Sequence, residues 1–181
     1  MSLFFISDIH GSIYYLRKAL EAYEREKCNN IIILGDILYH GPRNIIPEGY
    51  NPKEVIEVLN TLKDRIIAVK GNCDSEVDEM VLNFPILSEY GVIFYNGRRV
   101  FITHGHKYNE DNPITSIEGD IVISGHTHLP RGERIKGVYY INPGSITLPK
   151  ENNKHSYGLI KDDSFFIKDL EGNIMKTIEL N

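Results

Sequence analysis

The sequence contains no apolar run approaching the ~20 residues that span a bilayer and no block rich in lysine or arginine. With a net charge of −5, coating a nucleic-acid duplex or a membrane surface through bulk charge is excluded, though a local basic pocket is not. The opening stretch, MSLFFISDIH, lacks a basic leader, and its apolar part is too short for a signal peptide. Only two cysteines are present, Cys28 and Cys73, and they form no C-x-x-C. This usage fits reduced thiols and not a disulfide framework. No repeat, linker or low-complexity segment interrupts the 181 residues. The expectation is a soluble cytoplasmic protein forming a single domain over residues 1–181, long enough to bury roughly 70% of its extended surface.

Against these absences stands a regular alternation. LFFIS (3–7), IIIL (31–34) and IIAV (66–69) are continuous apolar runs, the pattern of parallel strands covered on both faces. Between the first two, Ile13, Leu16, Leu20 and Tyr23 recur at helical spacing, with Ser12 as N-cap. A second helix is predicted at NPKEVIEVLNTL, capped by Asn51, with Pro52 at its first position and Val55, Ile56 and Leu59 facing inward. Further on, GVIFYNGRRVFIT (91–103) predicts a hairpin turning at Asn96-Gly97. DIVIS (120–124) reads as another buried strand, and GERIKGVYYIN as a hairpin near Lys136-Gly137. The tail reads as a three-stranded meander with turns near Asp162-Asp163 and Glu171-Gly172-Asn173. The fold class is α/β, a parallel half followed by an antiparallel half, arranged as two mixed β-sheets packed face to face with helices outside.

The chemistry lies where the strands end. Asp8 and His10 follow the first run, Asp36 the second, and GNCD (71–74) the third. His104 and His106 follow VFIT, and His126 and His128 follow DIVIS. Singly, each has an ordinary reading: an Asp caps a helix, an Asn makes a turn, a His is solvated. Together, five strands deliver Asp, Asn or His to one edge, the edge where ligands bind in open α/β sheets. Neighbouring glycines allow the tight turns and close approach this requires. A donor set of carboxylates, imidazoles and an amide, without a thiolate pair, suits Mn, Fe, Ni, Co or Zn in an open catalytic site. Asp8, His10, Asp36, Asn72, His104, His126 and His128 are too many for one ion and about right for two. A carboxylate can bridge such a pair, which clamps a phosphoryl group.

In order, D-x-H, G-D, G-N, H and G-H-T-H resemble the calcineurin-like metallophosphoesterase superfamily. DIHG, GNCDSEVD, THGH, SGHTHLP and NPGS look like its small bacterial and archaeal members, the YfcE-type phosphodiesterase branch. The resemblance runs from residue 1 to beyond Ser145. It implies a four-layer αββα sandwich and a dinuclear site hydrolysing phosphodiesters with a metal-bridging hydroxide. Asp8, His10 and His128 would hold one ion, Asn72, His104 and His126 the other, and Asp36 would bridge them. Manganese is the ion the family suggests. A phosphomonoesterase with the same site, or a non-catalytic scaffold of the same fold, are the alternatives.

One position departs from the family pattern. Where many members carry His after the Asn, thought to protonate the leaving group, this chain has Cys73. A thiol with an ordinary pKa near 8.5, drawn toward thiolate by nearby cations, is a poor acid. Asp74 is expected to orient a neighbouring His or cap the next helix. On the loop YHGPRN (39–44), Arg43 is a candidate to fork onto a phosphate oxygen and His40 to approach the leaving group. His106 is a candidate to orient His104. The expected partner is a small phosphodiester substrate, with no membrane and no bulk nucleic acid. Self-association through edge strands of the tail is open.

Overall fold

A computed structural model describes residues 2–180. Its elements follow the order β1 (Ser2–Ile6), α1 (Ile13–Glu26), β2 (Asn30–Ile33), α2 (Pro52–Thr61), β3 (Ile66–Ala68), α3 (Glu76–Glu79), β4 (Tyr90–Tyr95), β5 (Arg98–Thr103), β6 (Ile121–Ile123), β7 (Arg131–Ile135), β8 (Val138–Asn142), β9 (Ser156–Lys161), β10 (Ser164–Asp169) and β11 (Ile174–Glu179). A six-stranded sheet runs β11-β10-β9-β1-β2-β3, and a five-stranded sheet runs β4-β5-β6-β8-β7. Both are mixed. β1, β2 and β3 pair in parallel, as do β5, β6 and β8, while the remaining neighbours are antiparallel.

Alternation along the strands sorts the core into two layers. On β1, Phe4 and Ile6 pack toward the helices, while Leu3 and Phe5 pack between the sheets. β2 repeats this with Ile31 and Ile33 on the helix side and Ile32 and Leu34 on the inner side. The helix side buries Ile13, Leu16 and Tyr23 of α1 and Val55 and Leu59 of α2, with Leu20 and Ile56 partly covered. The inner side receives Val100 and Ile102 of β5, Ile121 and Ile123 of β6 and Tyr139 and Ile141 of β8. The caps form as expected. Ser12 Oγ accepts from Tyr15 N at 3.2 Å and donates to Glu48 O at 2.6 Å, and Asn51 Oδ1 accepts from Glu54 N at 3.3 Å. The hairpins at Asn96-Gly97 and Lys136-Gly137 and the terminal meander are present.

Three features differ from a simple layering. The parallel and antiparallel halves interleave, because the terminal meander returns to pair β9 with β1. β3 is an edge strand, and its Ile67 is 41% exposed, so an apolar run there does not mean cover on both faces. Helices α1 and α2 lie outside the six-stranded sheet. Outside the five-stranded sheet the segment 104–120 supplies cover without a helix, seating Ile114 beside Phe101, Val122 and Val138.

Candidate metal centre

The C-terminal ends of β1, β2, β3, β5 and β6 converge, and the loops beyond them are laced together by backbone hydrogen bonds. Asp8 N donates to Gly35 O at 3.2 Å, His10 N to Asp36 O at 2.9 Å and Gly125 N to His104 O at 2.8 Å. Five residues here turn back through the left-handed region: Asp8 (φ 58°), His10 (48°), Asp36 (56°), His126 (68°) and His128 (62°). Asp and His enter this region more readily than other non-glycine residues, and strain of this kind concentrates at functional sites. Two glycines permit the packing. A Cβ on Gly71 would lie 2.1 Å from Asp36 Oδ1, and one on Gly125 would lie 1.8 Å from Ser7 Oγ.

Asp8, His10, Asp36, His104 and His128 are all buried. Their ring orientations share one device, in which Nδ1 is committed to a backbone carbonyl. His10 Nδ1 lies 2.8 Å from Tyr39 O, His104 Nδ1 2.6 Å from Leu34 O and His128 Nδ1 2.6 Å from Leu148 O. With Nδ1 donating, each Nε2 is turned toward the carboxylates. His128 Nε2 stands 3.2 Å from Asp8 Oδ1, His104 Nε2 3.5 Å from Asp36 Oδ2, and His10 Nε2 3.8 Å and 3.7 Å from Asp8 and Asp36 respectively. Asn72 Oδ1 lies 3.0 Å from His104 Nε2, and the His126 ring centre lies 5.1 Å from that of His104. All seven residues read as ligands from the sequence come together.

The electrostatics follow from this crowding. Burial raises the cost of charge on Asp8 and Asp36, yet the surrounding imidazoles hold both carboxyls below their ordinary range. Burial likewise opposes a charged His104, but Asp36, Asp8 and the Leu34 carbonyl prevail and push it up to about 9. His104 Nδ1 faces Leu34 O, and its Nε2 lies beside Asn72 Oδ1 and the Asp36 carboxylate. His128 is raised by Asp8 against its burial, whereas burial and then His104 lower His126 and His106.

These residues fit divalent cations. Asp8 Oδ1 is buried and accepts no hydrogen bond, although an imidazole nitrogen stands 3.2 Å away. His10 Nε2 and His128 Nε2 face each other at 3.4 Å. Paired nitrogen donors against an unsatisfied carboxylate oxygen leave a vertex that a cation satisfies. Ligating atoms within 4.8 Å of one another group Asp8, His10 and His128, then Asp8, Asp36 and His104, then His10, Asp36 and Cys73.

The remaining candidates separate. Arg43 lines the cleft above the cluster, a cavity of about 600 Å³ shared with His10, Asp36, Asn72, Cys73 and His126. His40 does not line it; its ring sits edge-on to Tyr39 and Tyr50 at 4.8 and 5.3 Å. His106 is near His104, with ring centres 5.4 Å apart, but its buried Nδ1 has no partner. Asp74 neither orients a His nor caps α3. It accepts from Asp36 N and Ile37 N at 2.8 Å and from Gly71 N at 2.7 Å, joining two ligand loops. Asp78 makes the local contacts at the start of α3 instead, accepting from Ser75 N and Oγ. At Cys73 the protein's own charges act opposite to the cation pull: burial, then Asp36 and Asp74, push the thiol up to about 12.

The sequence reading missed several contributors. Lys150 lines the cleft opposite no motif of its own. Ser145 Oγ donates to Asp8 O at 3.0 Å, Thr147 Oγ1 to Ile9 O at 2.9 Å and Asn142 Nδ2 to Gly125 O at 2.6 Å. The NPGS segment thereby pins the first and last ligand loops. Its appearance beside the metal motifs was the available signal.

Comparison with known proteins places the chain in a family. Residues 1–164 match the model of the calcineurin-like phosphoesterase superfamily domain. Phosphodiesterase YfcE of Escherichia coli K12 is 44% identical over 163 residues, covering 90% of this chain and 89% of that protein. A solved structure of E. coli YfcE, described as a phosphoesterase, superposes with a TM-score of 0.97 at 41% identity over the whole of both chains. A phosphodiesterase of Methanocaldococcus jannaschii is 29% identical over 151 residues, covering 80% of this chain and 83% of its own length. The family match covers every strand end that carries a ligand-type side chain, and the chain belongs to the calcineurin-like phosphoesterase superfamily.

Proposed function

We propose that the protein is a metal-dependent phosphodiesterase acting on a small phosphodiester, with two divalent ions held by the seven clustered residues and manganese as the working metal. Asp8, His10 and His128 form one ligand group, Asn72, His104 and His126 the other, and Asp36 stands between them. The observation that carries this reading is the buried, unsatisfied Asp8 Oδ1 facing imidazole nitrogens at the base of an open cleft. The name of the E. coli relative supports the diester over the monoester. A cytoplasmic setting fits two free cysteines, and among the described residues no helix is long and apolar enough to cross a membrane.

Divalent ions, when bound, polarise the phosphoryl oxygens and lower the pKa of a water molecule. The chain's own part is orientation and substrate capture. Carbonyl-anchored Nδ1 atoms fix the orientation of the three buried imidazoles, with each Nε2 turned toward the carboxylates. Arg43 and Lys150 bring positive charge to the cleft, where a guanidinium can fork onto a phosphate oxygen. Cys73 lines the same space, where a thiol is a poorer match than an imidazole to a leaving alkoxide at neutral pH.

The direct test strips the protein with a chelator, reloads it with Mn²⁺ and compares bis(p-nitrophenyl) phosphate with p-nitrophenyl phosphate. Strong metal-dependent cleavage of the diester alone is expected. A monoester preference would replace the substrate class, and cleavage of neither with any divalent ion would favour a scaffold. Arg43→Ala should raise KM for the diester roughly tenfold, the loss of one charge-assisted contact, with kcat little changed; an unchanged KM would remove Arg43 from the substrate site. Cys73→His should raise kcat on diesters with alkyl leaving groups by roughly tenfold or more, because an imidazole is a matched acid at neutral pH. Aryl diesters, which leave unaided, should gain little. Equal rates on alkyl diesters before and after substitution would show that Cys73 is only a packing residue.

A further inference from the structure

The loop 38–50 separates two cavities. Gly41, Pro42, Arg43 and Asn44 line the cleft described above. On the other side, Leu38, Tyr39, Tyr50, Ile56, Val77 and Val81 line an open groove of about 440 Å³. Cys73 belongs to both linings, and its sulfur lies within 4.8 Å of ligating atoms of His10 and Asp36. Cys73 is thus the side chain that the cleft and the groove have in common, placed between the metal cluster and the groove.

The two sides differ in character. The cleft carries the cations Arg43 and Lys150, whereas Asp78 is the one acidic side chain lining the groove, with no basic side chain beside it. The groove wall leaves apolar surface uncovered, with Val77 68% exposed, Val81 42% and Tyr39 42%. Burying such surface against a ligand is favourable, and tyrosine rings favour edge-to-face or offset contacts with another ring. An anionic substituent would meet the Asp78 carboxylate and gain nothing from the aliphatic wall.

We propose that this groove is the subsite for one arm of the phosphodiester and that it selects an uncharged aromatic arm. The inference rests on the phosphodiesterase reading and specifies its substrate class: a diester whose phosphate lies at the metal cluster, with a planar apolar group past Cys73.

The test uses Mn²⁺-loaded protein and two slowly reacting monoanions, phenyl methylphosphonate and methyl methylphosphonate, with dissociation constants measured by calorimetry. The phenyl compound is expected to bind at least about tenfold tighter, the scale of a few buried carbons in an apolar pocket. Val77→Asp and Val81→Asp, both at exposed positions that tolerate a charge, should each cut that advantage below about threefold. Val81→Leu should keep it. Met80→Asp makes the same charge change at a side chain 83% exposed and outside the groove, and should also keep it. Equal binding of the two compounds by the unaltered protein, no binding of either, or an advantage that survives both aspartate variants overturns the proposal. Hydrolysis of bis(p-nitrophenyl) phosphate by the same preparations reports separately on the phosphodiesterase reading. Retained hydrolysis with no phenyl preference rejects the groove alone.

Discussion

Asp36→Asn should abolish phosphodiester hydrolysis while leaving the metal-free fold intact. Asp36 Oδ1 accepts from Cys73 N at 2.8 Å, a bond that an asparagine oxygen keeps. Oδ2 faces His10 and His104 at 3.7 and 3.5 Å, where an amide NH₂ can donate to imidazole nitrogens. The substitution thus satisfies locally what it removes electrostatically. It takes away the carboxylate that faces His10 of one ligand group and His104 of the other, and puts a donor where a cation would sit. The fall in kcat/KM should be on the order of 10³-fold or more, beyond the 10–100-fold typical of groups that only support a ligand. In chelator the variant should melt within about 3 °C of the parent, roughly 1 kcal/mol for a chain of this size. Saturating Mn²⁺, at about 100 times its dissociation constant, stabilises a protein by ~2.7 kcal/mol. The parent should gain that increment and the variant should lose most of it. Full activity would show that Asp36 does not bridge, and a collapse in chelator would show a structural carboxylate instead.

Much of this arrangement is legible in the chain because its determinants are local. An apolar run followed by Gly and Asp or His states both the strand and what its end delivers, and Ser12 and Asn51 mark their helices by caps that act within three residues. What is not legible depends on distant partners. Lys150 reaches the cleft only because the segment after β8 returns beside the loop of His128, whose carbonyl accepts from Lys150 N at 3.4 Å. His40 sits in a promising loop yet turns against Tyr50, a contact no local spacing announces. Ile67 continues an apolar run, but β3 is an edge strand, and strand order is a property of the whole sheet. The cover of the five-stranded sheet was unreadable for the same reason, since the segment 104–120 shows neither helical nor strand periodicity.

Asp74 is the clearest case, and it carries the second large prediction. Three backbone N–H groups from two loops, separated by more than thirty residues in sequence, end on its carboxylate. The residue is 5% exposed, so water cannot replace it. Burial holds its carboxyl above the ordinary range despite those donors, and the three backbone N–H groups that end on its oxygens make it a structural acceptor. Asp74→Ala leaves all three N–H groups unpaired at ~1–3 kcal/mol each. A total cost of about 4 kcal/mol is a large part of the ~5–15 kcal/mol that holds a domain together. The melting temperature should fall by roughly 10–15 °C, and metal affinity with it, because Asp36 and Asn72 lose their common anchor. Asp74→Asn separates the two effects. Its one amide oxygen can keep the pair of donors from Asp36 and Gly71, while its NH₂ opposes Ile37 N. About 1–3 kcal/mol should be lost, with most of the metal affinity retained. If Asp74→Ala melts within about 2 °C of the parent and binds Mn²⁺ as tightly, the two loops are positioned by their own backbones, and the carboxylate is dispensable.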